Sequence, residues 1–429
     1  MRATLWFLGL FGVAVAMALF AGNNQGTITV FWPPYRVDLS LNLVVLLLAL
    51  LFFILHVALS ALAAFFAIPG HARSWRVQHQ ERAMNVALLE ALSNLVAGRF
   101  IRARKAAEAV LERETAMRRN GETLVYSSRL RALAHLLAAE SAQALQDKDA
   151  RKEHFASALE ESTKRDAIEV REGLQLRAAR WALEDHDPQG ALQCLRELPQ
   201  GASRRTVALR LRLKAARMAR ETLLALETAR LLAKHRAFSV VAAQGILRGL
   251  ALELISTAHD PDQMHTVWHQ LDPDERLMPE VAIVASRRLL KLGGDNALSR
   301  QWVLPVWEQM LLDANYVTHT QRVQLIRVLE NSFAEATGSP DGGWLVRIEK
   351  AQMAHPGDAA LQYLAGITCM RLQLWGKAQQ LLKQALPRLK DTGLERSALQ
   401  GLAELAEQRG DATTAAQAWQ KAAKTGLID

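Results

Sequence analysis

Two stretches decide the fold: Leu361–Arg388, LQYLAGITCMRLQLWGKAQQLLKQALPR, and Leu399–Gly426, LQGLAELAEQRGDATTAAQAWQKAAKTG. In both, apolar residues return at i, i+3, i+4 and i+7 on either side of a short polar turn, which is the pattern of two amphipathic helices in succession. Shifted by 37 positions, Gly366 falls on Ala403, Ala378 on Ala415, Leu382 on Trp419 and Ala385 on Ala422. Antiparallel helices approach closely only where side chains are small. The bulkier Leu382 and Trp419 are then expected to fill the gap toward a following pair.

Small residues at these points resemble the tetratricopeptide repeat. Weaker copies precede them: one has Ala103 after the turn Gly98-Arg99-Phe100, a second has Ala139, Phe155 and Ala158, and a third has Ala179, Asp187-Pro188, Ala191 and Pro199. The pattern predicts about seven to nine helix pairs. Asp260-Pro261 and Asp272-Pro273 read as an N-cap followed by Pro at the first helical position. Gly338 to Gly343, GSPDGG, reads as a hinge. The expected array therefore divides into 71–337 and 344–429.

Composition agrees with helix throughout. Half of the 429 residues are hydrophobic. Ala, Leu, Arg, Glu and Gln, all good helix formers, dominate over β-branched residues. Cys194 and Cys369 stand far apart and belong to no C-x-x-C pair, so no disulfide framework is expected. Cys369 falls at a packing position of its repeat. The net charge of +9 favours anionic surroundings. Its clusters, Arg99 to Lys105, Arg113 to Arg131 and Arg204 to Arg220, hold few aromatics. Binding single-stranded nucleic acid calls for stacking rings beside cations. A basic face toward anionic lipid is the better expectation, with glutamates at i, i+4 neutralising about half of it.

The N-terminal region reads differently. No charge occurs from Ala3 to Ala21, and none from Leu39 to Ala72 with His71 neutral. Each run reaches the roughly 20 residues that cross a bilayer. Helices over about 3–21 and 41–68 are expected, forming a membrane anchor over 1–70. The first run exceeds the 7–15 apolar residues of a signal peptide, so retention is expected. Arg2 precedes the first run, and Arg73, Arg76 and Arg82 follow the second. The 22–40 loop carries only Arg36, beside Asp38. The positive-inside rule then puts both termini in the cytoplasm and the loop in the periplasm. Trp32 and Tyr35 suit the headgroup level, Pro33-Pro34 stiffens the turn, and Thr27–Trp32 has a short β-like pattern.

Catalytic signatures are missing. There is no G-x-G-x-x-G, G-x-x-x-x-G-K-[ST], H-E-x-x-H or G-x-S-x-G. The expectation is a protein that is not an enzyme. Three histidines are candidates for a cofactor. His56 lies inside the second apolar run. His265 and His269 share one helix face at i, i+4, although zinc needs at least three protein ligands. The bland alternative is a neutral His56 hydrogen-bonded to a helix, and two surface histidines.

Two further patches carry a family resemblance. The first is VFWPPYRVDLSLNL after NNQG, set between the two apolar runs. The second is AHPGDAALQYLAGITCMRLQLWGKAQQLL, with His355-Pro356, Asp358, Gly366 and Trp375-Gly376-Lys377-Ala378. VWHQLDPDERLMPEV in the centre adds Trp268, Leu271, Arg276 and Pro279. Together they resemble the HemY family of proteobacterial inner-membrane proteins. The resemblance implies a two-helix anchor carrying a cytoplasmic tetratricopeptide array, and a link to a late step of protohaem synthesis. It supplies no catalytic residues.

The fold expected is therefore all-α: two N-terminal transmembrane helices followed by an α-solenoid of tetratricopeptide-like helix pairs. The function expected is a scaffold in the bacterial inner membrane that gathers haem-biosynthesis enzymes. Such arrays bind partners on their first helices, which nominates Tyr363, Ile367, Met370 and Arg371 in one repeat, and Leu176 and Arg180 in an earlier one. A haem or porphyrin carrier using the three histidines, and a generic envelope adaptor, are the alternatives.

Overall fold

The computed structural model describes residues 26–313, 315–333 and 342–425, with isolated positions between 11 and 22; it leaves out the side chains of 63–74. The expected first membrane helix and most of the expected hinge at Gly338 to Gly343 lie outside the described residues.

Two strands open the chain, β1 (Thr27–Trp32) and β2 (Tyr35–Ser40), paired antiparallel with Thr27 opposite Ser40 and Trp32 opposite Tyr35. The Pro33-Pro34 peptide between them is cis. The β-like pattern of Thr27–Trp32 therefore has a partner that the apolar pattern did not announce. Among the described residues the fold is all-α apart from this hairpin.

Ser40 then caps α1 (Leu41–Val96), its hydroxyl accepting from the Leu43 amide at 3.3 Å. At 1.5 Å per residue this helix is about 84 Å long. The expected stop at residue 68 does not occur, and the backbone stays helical through Pro69 and Gly70. A proline removes one amide and costs about 3 kcal/mol in a helix interior. Long helical flanks absorb that cost: apolar residues before it, and RSWRVQHQERAMNVALLEALSNLV after it. The anchor and the first helix of the array are one rod, not two elements joined at residue 70.

The remaining helices follow with short turns. They are α2 (Phe100–Arg119), α3 (Ser127–Ala144), α4 (Lys148–Glu161), α5 (Ile168–Glu184), α6 (Pro188–Arg196), α7 (Gln200–Ser203), α8 (Thr206–Met218), α9 (Thr222–Lys234) and α10 (Val240–Ser256). Then come α11 (Pro261–Gln270), α12 (Pro273–Arg276), α13 (Pro279–Lys291), α14 (Asn296–Leu312) and α15 (His319–Ser332). The last five are α16 (Gly342–Ala354), α17 (Ala359–Arg371), α18 (Trp375–Ala385), α19 (Thr392–Gln408) and α20 (Ala412–Thr425). Both Asp-Pro expectations hold. Asp260 accepts from the Gln263 amide at 2.7 Å, and Asp272 closes a capping box with Glu275.

One turn geometry recurs through the chain. In nine places among the described residues a residue with φ between 53° and 78° ends a helix, and the next amide donates back to a carbonyl five residues earlier: Gly98, Gly121, Gln146, His186, Arg220, Arg236, Gly293, Gln373 and Gly410. This is the 6→1 bond of a Schellman ending. It reverses the chain in the fewest residues and forces neighbouring helices antiparallel. Glycine takes the left-handed conformation freely, whereas Gln146 and Gln373 do so at a cost of about 1 kcal/mol each.

The chain forms two compact units, Met1–Arg171 and Glu172–Asp429. In the first, Met84, Val110, Met117 and Leu130 make one buried cluster, and Ala91, Ala107 and Ala138 meet in another. In the second, one buried cluster runs from Ala216 to Leu405. The division thus differs from the expected one near residues 338–343, because Trp344, Ile348 and Tyr363 share that cluster with Trp307 and Leu329.

The small positions of the C-terminal repeats are buried as their pattern required. Ala378, Ala385 and Ala403 are fully enclosed, and a Cβ on Gly366 would stand 2.8 Å from Leu382. Leu382 fills the gap as expected. Trp419 does not: it is 38% exposed, and its indole N–H donates to Glu407 at 2.8 Å.

Candidate functional site

The nominated partner face of α17 is not a surface. Tyr363, Ile367 and Met370 are all buried. α17 packs against α15, α16, α18 and α19, so nearly every side of it is covered. The Tyr363 hydroxyl donates to Glu330 at 2.6 Å. Burial, then the Glu330 charge, pushes the phenol far above its usual value, and burial also raises Glu330. Both groups stay protected in a shared hydrogen bond, which is core architecture. A helical period marks which residues are apolar; it does not distinguish a groove from an interface between helices. Of the six nominated residues, Arg371 and Arg180 are exposed, and Arg180 pairs with Glu184 at 2.9 Å. Leu176 packs on the buried cluster of Ala179 and Leu195.

The histidine candidates are accessible. His56 is exposed on α1 inside Leu41–Leu62, a stretch of mean hydropathy 2.9 with no buried residue, long and apolar enough to cross a membrane. His265 and His269 face each other on α11 with Nε2 atoms 3.2 Å apart. They open on a hollow of about 570 Å³ also lined by Trp268, Trp302 and Arg276. Trp268 stacks on Trp302 with centroids 4.4 Å apart, and Arg276 lies 5.9 Å from the Trp268 ring. The Arg276 Nε is buried without a hydrogen-bond partner. Among the described residues, no three His, Cys, Asp or Glu side chains converge as a metal site would need. Cys369 is buried in the core, and burial raises both it and Cys194 above the ordinary thiol value.

Two polar clusters in the first unit have no counterpart in the sequence reading, because packing alone brings their members together. In one, Arg131 donates to Glu114 at 2.7 Å and to Glu161 at 3.0 Å, with the Ser127 hydroxyl on Glu114 and Lys164 on Glu161. Burial alone would raise Glu161, but Lys164 and Arg131 outweigh it and hold the carboxyl below its usual value. In the other, His135 and His154 approach to 3.2 Å between their Nδ1 atoms. Burial first, then the His154 and Arg131 charges, lowers His135 to about 4.

The basic clusters divide by environment. Arg104 is paired with Glu108 and Asp147, and Arg205 with Glu172. Arg230 holds Glu275 at 2.6 Å and Asp272 at 3.1 Å, clasping α9 to the start of α12. At the membrane end, Phe31, Trp32 and Tyr35 are all exposed on the hairpin, with Arg36 over the Phe31 ring at 5.3 Å.

Comparison with known proteins adds three likenesses among solved structures. A chain of the Naa15/Naa10 complex bound to HypK-THB is 12% identical over 80% of this chain, with a TM-score of 0.24; this chain spans 59% of its length. The P58(IPK) TPR domain is 13% identical over 80% of this chain and 98% of its own, with a TM-score of 0.21. A chain of the Cut9-Hcn1 hetero-tetramer is 15% identical over 81% of this chain and 67% of its own, with a TM-score of 0.23. No curated protein matches the chain. Residues 26–146, which comprise the hairpin, α1, α2 and α3, match the family described as HemY protein N-terminus. That N-terminal segment, rather than the whole chain, carries the similarity to the HemY family.

Proposed function

We propose that this protein is a membrane-tethered scaffold acting in a late step of protohaem synthesis. The supporting observation is the continuity of α1. One rod carries an exposed apolar span, Leu41–Leu62, and then packs as the first helix of a repeat array, all inside the family match at 26–146. An array fixed to a membrane by a rigid helix holds bound enzymes at a set height above the bilayer, where a poorly soluble tetrapyrrole can pass between them over a short distance. In this reading the chain crosses the bacterial inner membrane twice, both termini face the cytoplasm, and the aromatic hairpin lies on the periplasmic side. Partners are proteins; the array performs no chemistry of its own.

The test is the tetrapyrrole content of cells that lack the protein. Late porphyrin intermediates rise in such cells and return to normal with the full chain. They stay high with an array expressed from residue 74 without its anchor. Unchanged porphyrin levels in the deletion strain reject the reading.

The His265–His269 hollow favours a second reading, a haem or porphyrin carrier. His265 or His269 would hold the iron, the Trp268–Trp302 stack would supply an apolar wall, and Arg276 a cation for a carboxylate of the macrocycle. Haemin titrated into the full chain would then give a Soret shift that His265→Ala with His269→Ala removes. An identical shift in that variant rejects this site.

A further inference from the structure

The end of the array at α1 and α2 is open. Terminal repeats of a stacked array need a polar outer face to stay soluble. Here Val86, Leu89, Val96 and Ile101 are each more than 60% exposed on that face. Beside them a groove of about 660 Å³ runs between α1 and α2. Its floor is Ala83, Val86, Ala106 and Ala109, small enough for a helix to approach closely. Its rim is basic, formed by Arg82, Arg102, Lys105 and Arg113, with Glu90 as the one acidic lining residue.

The rim cations differ from the half-buried arginines of this unit. Arg104 and Arg131, which are half-buried, sit against carboxylates. Among the described residues, Arg82, Arg102 and Lys105 have no acidic partner within 4 Å. Internal ion pairs thus explain the inward-facing cations and leave this rim unneutralised.

We propose that this groove receives an acidic amphipathic helix of a partner protein, stacked where a preceding repeat would lie. The inference rests on the scaffold reading and names one docking surface for it. An apolar stripe on the incoming helix covers Val86 and the alanines, and carboxylates on its flanks meet Arg82, Arg102 and Lys105. This is helix-in-groove recognition with charge setting the specificity. Anionic lipid shares the charge but not the position. His79, at the near end of the groove, is 17 residues beyond Leu62, about 26 Å along the axis. Even from Ile68 the distance is about 16 Å, whereas the headgroup layer adds only about 5–8 Å per side.

The probe is a synthetic helical peptide of about five turns, with a Leu/Ala stripe flanked by glutamates. A second peptide carries lysines in their place. Both are titrated against the full chain in detergent micelles by fluorescence anisotropy. The acidic peptide binds, and binding weakens with salt. Affinity falls by about tenfold or more in Arg82→Glu with Arg102→Glu and Lys105→Glu, and again in Val86→Asp. These side chains are exposed, so the melting temperature of each variant stays at the wild-type value. The lysine peptide does not bind. Equal binding of both peptides, or of wild type and charge-reversed protein, overturns the proposal. So does a charge reversal that strips co-purified phosphatidylglycerol from nanodiscs while leaving peptide affinity intact, which would make the groove a lipid site. If tetrapyrrole enzymes co-purify undiminished with the charge-reversed chain, the groove proposal falls and the scaffold reading stands.

Discussion

Arg131→Met tests the polar network that fastens the first unit. The Arg131 side chain is 19% exposed and bridges Glu114 and Glu161, whose side chains are 4% and 10% exposed. Breaking a buried ion pair by removing one partner costs about 3–5 kcal/mol, because a charge is left without compensation. Here the loss is smaller. Glu161 keeps Lys164 at 2.6 Å, and Glu114 keeps the Ser127 hydroxyl at 2.5 Å. About 2–3 kcal/mol is the net expectation. For a unit of this size each kcal/mol lowers the melting temperature by about 2–4 °C, so the first transition falls by about 5–10 °C. Differential scanning fluorimetry of the full chain in micelles reads the shift. Hydrogen exchange assigns it to peptides of α2 to α5. Adding Glu114→Gln to Arg131→Met removes the stranded charge and restores at least half of the lost stability. A shift below about 1 °C, or no recovery in the double variant, refutes the reasoning.

Three more outcomes follow from the geometry. His135 is lowered to about 4, so the unfolded chain binds its proton first as pH falls. The contribution of this ring to the stability of the first unit is full near pH 7, declines from about pH 6.5 and levels off near pH 4, a loss of about 1–2 kcal/mol once solvent screening of this half-buried ring is allowed for. His135→Leu flattens that slope in pH-dependent melts, leaving the loss below about pH 4.5 that comes from protonating Glu161. Gln373, at φ 60°, gains about 0.5–1 kcal/mol on mutation to Gly, whereas Gly98→Ala at φ 72° loses about 1 kcal/mol by thermal denaturation. Gly366→Ala drives a methyl toward Leu382 and costs about 1–3 kcal/mol, relieved when Leu382→Ala is added.

Local chemistry carried much of this structure into the sequence. Asp260-Pro261 and Asp272-Pro273 cap helices because a carboxylate and a missing amide suit a helix start wherever they occur. Gly366, Ala378 and Ala403 mark close approach because only small side chains permit it. What failed was whatever depends on distant packing. Tyr363, Ile367 and Met370 look like a groove face when one helix is considered alone, yet the helices around α17 cover them. His135 and His154 meet across α3 and α4, and no spacing rule announces that. Pro69-Gly70 looks like a stop, but helix formers on both sides carry α1 through it.

The central claim is that the array, held at the membrane by α1, gathers enzymes of haem synthesis. The most direct measurement is quantitative mass spectrometry of proteins that co-purify with the full chain from detergent-solubilised inner membranes, compared with an unrelated membrane protein carrying the same tag. The account predicts selective enrichment of tetrapyrrole-pathway enzymes. Membranes that yield the intact protein without any such enzyme above the control level would contradict it.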